Sequence, residues 1–137
     1  MLAYFSLRKE IKMRTSIDFV VLSMIFFHVI ADYNLQGWLA SAKQKEWWKK
    51  NAPQELYKHD YLMALFMHSF GWTFLVMLPI AFYFNCIITP TFIATFIVNL
   101  VLHAVIDDLK ANQNKINLVI DQALHIIQIG LTVLVLL

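Results

Sequence analysis

The stretch HVIADYNLQ, residues 28–36, closes a run that begins near residue 17 and otherwise reads as a lipid-facing helix. Within it His28 and Asp32 lie four residues apart, a spacing that puts both side chains on one face of a helix. A carboxylate at the bilayer centre costs ~2.5–3.5 kcal/mol on insertion scales, and less near the interface. Such a pair in an apolar run therefore needs a partner. The pattern recurs along the chain. His103 and Asp107 are four apart, Asp121 and His125 are four apart, and His68 stands alone in another apolar run.

Those runs set the fold class. Of 137 residues, 60% are hydrophobic and only 15% charged, where a soluble domain carries about a quarter charged. Apolar segments occupy about 17–36, 61–84, 91–109 and 116–137. Each is near the ~20 residues a membrane helix needs, and each is apolar all round, as lipid contact requires. The expectation is one all-α domain, a four-helix transmembrane bundle running up-down-up-down. Residues 37–60 contain KQKEWWKK. Lysines flanking Trp47 and Trp48 suit an interfacial amphipathic segment between spans one and two. Pro79 is expected to bend the second span, and Thr89 and Pro90 read as the N-cap and first residue of the third helix.

A net charge of +2 gives no reason to expect a nucleic-acid partner. The single Cys86 excludes an intrachain disulfide and a Cys-based zinc knuckle, and it reads as a small packing residue. Arg8, Lys9, Lys12 and Arg14 precede the first run as a signal-peptide n-region would. The run continues into His28 and Asp32 without a small-residue cleavage site, so a retained helix is expected, with Met13 an alternative start to Met1.

Topology sharpens the polar pattern. The first and third pairs lie near the ends of their spans, while His68 and the fourth pair lie near the starts of theirs. An alternating bundle puts all seven residues on one side of the membrane. Spans one and three read His then Asp, and span four reads Asp then His. The three Asp should then form an outer layer, with the His one turn, ~5–6 Å, deeper. Three converging carboxylates in a poorly hydrated bundle take up protons or need a cation. His28, His68, His103 and His125 with Asp32, Asp107 and Asp121 are enough for one divalent ion with supporting residues, or for two ions. His nitrogen with Asp oxygen is a common donor set for zinc, the expected metal, and suits iron or manganese. Haem is not expected, because axial His needs no carboxylate four residues along. On the same faces Gln36, Asn99, Lys110 and Gln128 are candidates to support the ligands or contact a substrate, although a buried amide also serves as an ordinary interhelical hydrogen bonder. His59, in the loop, reads as solvated.

The stretches HVIADYNLQGWLASAK, HAVIDDLK and DQALHIIQI resemble an uncharacterised family of small integral membrane proteins of bacteria and phages, the domain of unknown function three-three-zero-seven. Its pattern is matched by His28, Asp32, Leu35, Gln36 and Lys43, by the lone His68, and by His103, Asp107, Lys110, Asp121, Gln122 and His125. Where the family often has a second His one turn after the lone one, this chain has Trp72. The resemblance implies a membrane location, in a bacterial inner membrane, and a phage or prophage source. It brings no established activity.

The leading functional expectation is a membrane-embedded metal-dependent hydrolase acting on a lipid or amphiphilic substrate at the interface. His28, His68, His103 and His125 would be ligands, and Asp32, Asp107 and Asp121 ligands or general base. Lys43 and Lys110 would neutralise a headgroup phosphate, with Gln122 beside the ligands. The alternative is a non-catalytic phage or prophage protein, for infection exclusion or host-partner binding, with a structural metal or a His-Asp polar cluster. A conductor is a third reading and would require a homo-oligomer. The site side carries Lys43, Lys45, Lys49, Lys50, Lys58, Lys110 and Lys115 against the four basic residues of the N-terminus, which favours a cytoplasmic site.

Overall fold

A computed structural model describes residues 17–137. Arg8, Lys9, Lys12, Met13 and Arg14 lie outside the described residues. The first helix, α1, is described over Ile17–Asn34. Two short helices follow, α2 over Leu39–Ala42 and α3 over Lys45–Asn51, then a 3₁₀ turn at Glu55–Tyr57. Three long helices complete the chain: α4 over Asp60–Tyr83, α5 over Pro90–Ala111 and α6 over Leu118–Leu136. No strand occurs among the described residues. Ile17–Asn34, Glu55–Tyr83, Pro90–Ala111 and Leu118–Leu136 are long and apolar enough to cross a membrane. The bundle is therefore all-α with four candidate spans, and their bounds lie close to those expected from the apolar runs.

Local chemistry sets the helix ends. Thr89 caps α5, its hydroxyl accepting from the Phe92 N–H at 3.1 Å, with Pro90 at the first helical position. Asn117 caps α6 in the same way, accepting from the Ile120 N–H at 2.9 Å. α4 runs through Pro79 and ends at Tyr83. There the Cys86 N–H reaches Ala81 O at 2.7 Å and the Asn85 N–H reaches Phe82 O at 3.0 Å. That pair of bonds is a Schellman closure, and it holds Asn85 and Cys86 at φ of 53° and 61°. Cys86 is exposed in this turn and does not pack in the interior as its residue type suggests. It is placed by backbone hydrogen bonding rather than by burial.

Large apolar side chains face outward on every span, among them Leu22, Phe26, Met67, Phe74, Val98 and Leu134. A soluble monomer rarely exposes such continuous apolar surface. Inside, Val20, Met24, Trp72, Val76, Met77, Ile80, Phe92 and Ile129 form one core drawn from all four long helices. Lipid is as apolar as this core, so interhelical packing and hydrogen bonds hold such a bundle more than the hydrophobic effect does. One buried polar knot does this between α5 and α6. Asn99 donates to Thr132 Oγ1 at 2.8 Å, and Gln128 donates to Asn99 Oδ1 at 2.9 Å and to Asn99 O at 2.8 Å.

The segment between α1 and α4 folds back over one end of the bundle. The chain turns at Gly37, with φ of 49°, a backbone region costly for residues with a Cβ. Trp38, Trp47 and Trp48 pack edge to face, with centroids 5.0–6.0 Å apart. Trp48 Nε1 donates to Ala42 O at 2.6 Å, closing α3 onto α2. α2 packs on α4, which places Lys43 over the ends of the helices.

Candidate metal centre

The end of α1 is not a regular α-helix. Ile30–Asn34 forms a π-turn, in which the Leu35 N–H reaches back five residues to Ile30 O at 2.9 Å. Such wide turns recur at functional sites, and this one carries Asp32. Gln36 donates its amide to the Asp32 backbone carbonyl, so it braces the turn rather than reaching the carboxylate.

From α1, α4, α5 and α6 the seven His and Asp residues converge into one cluster, each between 0% and 8% exposed. His68 Nε2 lies 3.5 Å from Asp32 Oδ1, 3.2 Å from Asp107 Oδ2 and 3.2 Å from His103 Nε2. His103 Nε2 lies 3.9 Å from Asp32 Oδ1 and 3.8 Å from Asp107 Oδ2. His125 Nε2 lies 3.6 Å from both Asp107 Oδ1 and Asp121 Oδ1. Bonds of ~2.0–2.1 Å to a tetrahedral ion separate its donors by about 3.3–3.4 Å. The His68–His103 pair and the four pairs that these two imidazoles make with Asp32 and Asp107 span 3.2–3.9 Å, close to that value. Two overlapping groups could hold an ion: Asp32 with His68 and His103, and His103 with Asp107 and His125.

Several donors in this cluster are buried without hydrogen-bond partners, namely Asp32 Oδ1, Asp121 Oδ1, His103 Nδ1 and both nitrogens of His125. Native interiors leave few polar atoms in that condition, because each costs a large part of its desolvation free energy. His68 Nε2 and His103 Nε2 face one another across 3.2 Å. That arrangement requires either a proton between them or a cation that both nitrogens address. The donor set therefore fits a divalent metal.

His28 stands apart from these groups. Trp72 Nε1 donates to His28 Nδ1 at 2.9 Å, and His28 Nε2 meets Gln122 Oε1 at 3.0 Å. An indole N–H only donates, so His28 Nδ1 accepts and Nε2 carries the proton. With both nitrogens committed, His28 does not serve as a ligand in this arrangement, contrary to expectation. Its contacts orient Gln122, whose amide nitrogen lies 3.2 Å from Asp32 Oδ2 and 3.0 Å from Asp121 Oδ2. Trp72 also stacks on His103 at 4.2 Å and 20°, and His103 stacks on His125 at 4.2 Å and 28°. The tryptophan thus fixes two imidazoles that its own side chain cannot replace as ligands.

The lysines face inward. Lys43 Nζ lies 2.6 Å from Asp107 Oδ2, with both side chains buried, and Lys110 Nζ lies 2.6 Å from Asp121 Oδ2. Both ammonium groups are engaged by carboxylates of the cluster, where the sequence led us to expect them to meet a headgroup phosphate. Two ammonium groups against three carboxylates leave one net negative charge when every imidazole is neutral. Asn112 holds Lys43 in place: its amide donates to Lys43 O at 3.0 Å, and its oxygen accepts from the Lys45 N–H at 2.7 Å. Asn112 lies in a polar turn where nothing in the sequence distinguishes it from its neighbours. Asn99 and Gln128, one helical turn or less from His103 and His125, bond to each other and to Thr132 rather than to the cluster. They are interhelical connectors, not support for the ligands. His59 is exposed, as expected.

A family model described as "Protein of unknown function (DUF3307)" matches residues 20–137. Neither the curated proteins nor the solved structures contain a match. The chain belongs to this uncharacterised family.

Proposed function

We propose that this member of the family is an integral membrane metalloprotein whose centre, most simply a zinc site, is formed by His68, His103, Asp32 and Asp107. His125 and Asp121 stand beside it. The reading extends to metal-dependent hydrolysis of a lipid or other amphiphile at interfacial depth, in a bacterial inner membrane with the site toward the cytoplasm. The single observation that carries it is the meeting of His68 and His103 nitrogens with Asp32 and Asp107 oxygens, from three helices, with imidazole–imidazole and imidazole–carboxylate spacings near those around a tetrahedral ion.

A divalent ion there supplies Lewis acidity and a means of activating water. The residues supply the rest. Asp121 Oδ1 and His125 Nε2, buried 3.6 Å apart and without hydrogen-bond partners, with Asp107 Oδ1 equally near the imidazole, could hold or pass a proton. Lys43 holds Asp107, and Gln122 holds Asp32 and Asp121. Ala42 and Lys43, both buried, cover the cluster on the side where α2 packs on α4.

That closure favours one second reading, a non-catalytic protein of phage or prophage type in which the metal clips the helices together. Lipid mixtures incubated with the protein in vesicles, followed by mass spectrometry of the products, separate the two. A hydrolase consumes one lipid class, and Asp121→Asn abolishes that turnover while metal content and melting temperature persist. A clip consumes nothing and melts earlier on chelation.

A further inference from the structure

Lys45, Lys49 and Lys58 take no part in the His-Asp cluster. Lys49 pairs with Glu46 at 2.5 Å and Lys58 with Glu55 at 2.8 Å, all four side chains exposed. Exposed pairs of this kind contribute little and yield readily to a better partner. Together with Trp48, His59 and Tyr61, these lysines line a cavity of about 380 Å³ at the end of the bundle. A second groove, of about 420 Å³, runs between α4 and α5 past Leu62, Leu65, Phe66, Val101 and Val105. The two hollows share Lys45 and Tyr61. At that junction Lys45 Nζ sits 4.8 Å from the centre of the Tyr61 ring. From Tyr61 to Ser69 the groove descends about 12 Å along α4, at 1.5 Å per residue.

A basic chamber continuous with an apolar channel is the shape of an anionic amphiphile. We propose that the two hollows form one binding site for an anionic phospholipid of the surrounding bilayer. Its phosphate lies among Lys45, Lys49 and Lys58, and one acyl chain lies between α4 and α5. The chamber carries three lysines against two carboxylates, Glu55 in its lining and Glu46 beside Lys49, a surplus of one positive charge that favours an anionic headgroup over a zwitterionic one. Asp108, at the mouth of the channel, accepts from the amides of Asn112 and Gln113 at 2.8 Å each, and so is already engaged. No residue of the His-Asp cluster lines either hollow, so the site stands independently of the metal reading.

The test uses delipidated full-length protein in detergent, titrated with phosphatidylglycerol, with phosphatidylcholine of the same chains and with glycerol 3-phosphate, and read by native mass spectrometry. Metal content, measured in parallel, keeps the two sites distinguishable. Phosphatidylglycerol should bind at least tenfold tighter than phosphatidylcholine, and glycerol 3-phosphate should not compete at equal concentration. Lys45→Gln with Lys58→Gln should weaken phosphatidylglycerol binding about 30-fold, from the usual contribution of a basic residue at an anionic membrane surface. Exposed Lys49→Gln alone, which leaves the packing untouched, should weaken it about fivefold. Lys50→Gln, exposed on α3 but outside both hollows, should change nothing. Equal binding of the two lipids, unchanged affinity in the lysine variants, or glycerol 3-phosphate binding as tightly as the lipid would each overturn the proposal.

Discussion

Replacing Lys43 by Met removes the one ammonium group, among the described residues, that is buried against the cluster. Lys43 Nζ lies 2.6 Å from Asp107 Oδ2, and the two side chains are 7% and 2% exposed. Removing one partner of such a pair leaves a buried charge uncompensated, at a cost of ~3–5 kcal/mol. For a domain of this size, at about 4 °C per kcal/mol, the melting temperature should fall by roughly 12–20 °C. That loss belongs to the metal-free protein. A divalent ion bound to Asp107 supplies the missing positive charge, so the metal-loaded variant should lose less than about half as much. The ion should also bind the variant more tightly, since one neighbouring cation is gone. Thermal unfolding of wild type and Lys43→Met in the same detergent, with and without saturating zinc, measures both effects. Equal destabilisation in the two conditions would refute the idea that lysine and metal address the same carboxylate.

Trp72→Phe keeps an aromatic ring near His103 but deletes the donor to His28 Nδ1. It should cost ~1–3 kcal/mol for the unpartnered buried nitrogen and leave metal stoichiometry unchanged, as calorimetry and metal analysis would show; complete loss of metal would mean the indole does more than orient the ring. Metal affinity should weaken as pH falls, because both imidazoles must be neutral and both carboxylates ionised to bind. Each imidazole that is protonated in the free protein should add about tenfold per pH unit to the loss, one proton being displaced for each. Competition with a chromophoric chelator across a pH series checks this, and an affinity flat with pH would argue against imidazole ligation.

Much of this architecture was legible because the bilayer imposes so few solutions. Long apolar runs become helices, and Thr89 with Pro90 marks the start of α5 by chemistry that acts within one turn. The convergence of His68, His103, His125 and the three Asp followed from four-residue spacing and alternating helix direction. What sequence could not convey was partnership. His28 has the same spacing as a ligand, yet Trp72 and Gln122, distant in the chain, occupy its nitrogens. Lys43 sits in a segment whose lysines look alike, and only the reach of its ammonium group to Asp107 separates it from Lys45 or Lys49. Asn99 and Gln128 share a face with the cluster but lie close enough to each other to bond instead. Each difference is set by a contact between elements, which periodicity along one element does not contain.

Elemental analysis of the detergent-purified chain, wild type beside His103→Ala, bears most directly on the proposed centre, since His103 belongs to both groups of candidate ligands. The native protein should carry at least one stoichiometric divalent metal, and the variant close to none while still eluting as a folded helical species. A native sample free of metal after metal-replete growth and chelator-free purification, or a variant that retains its full complement, would contradict the account.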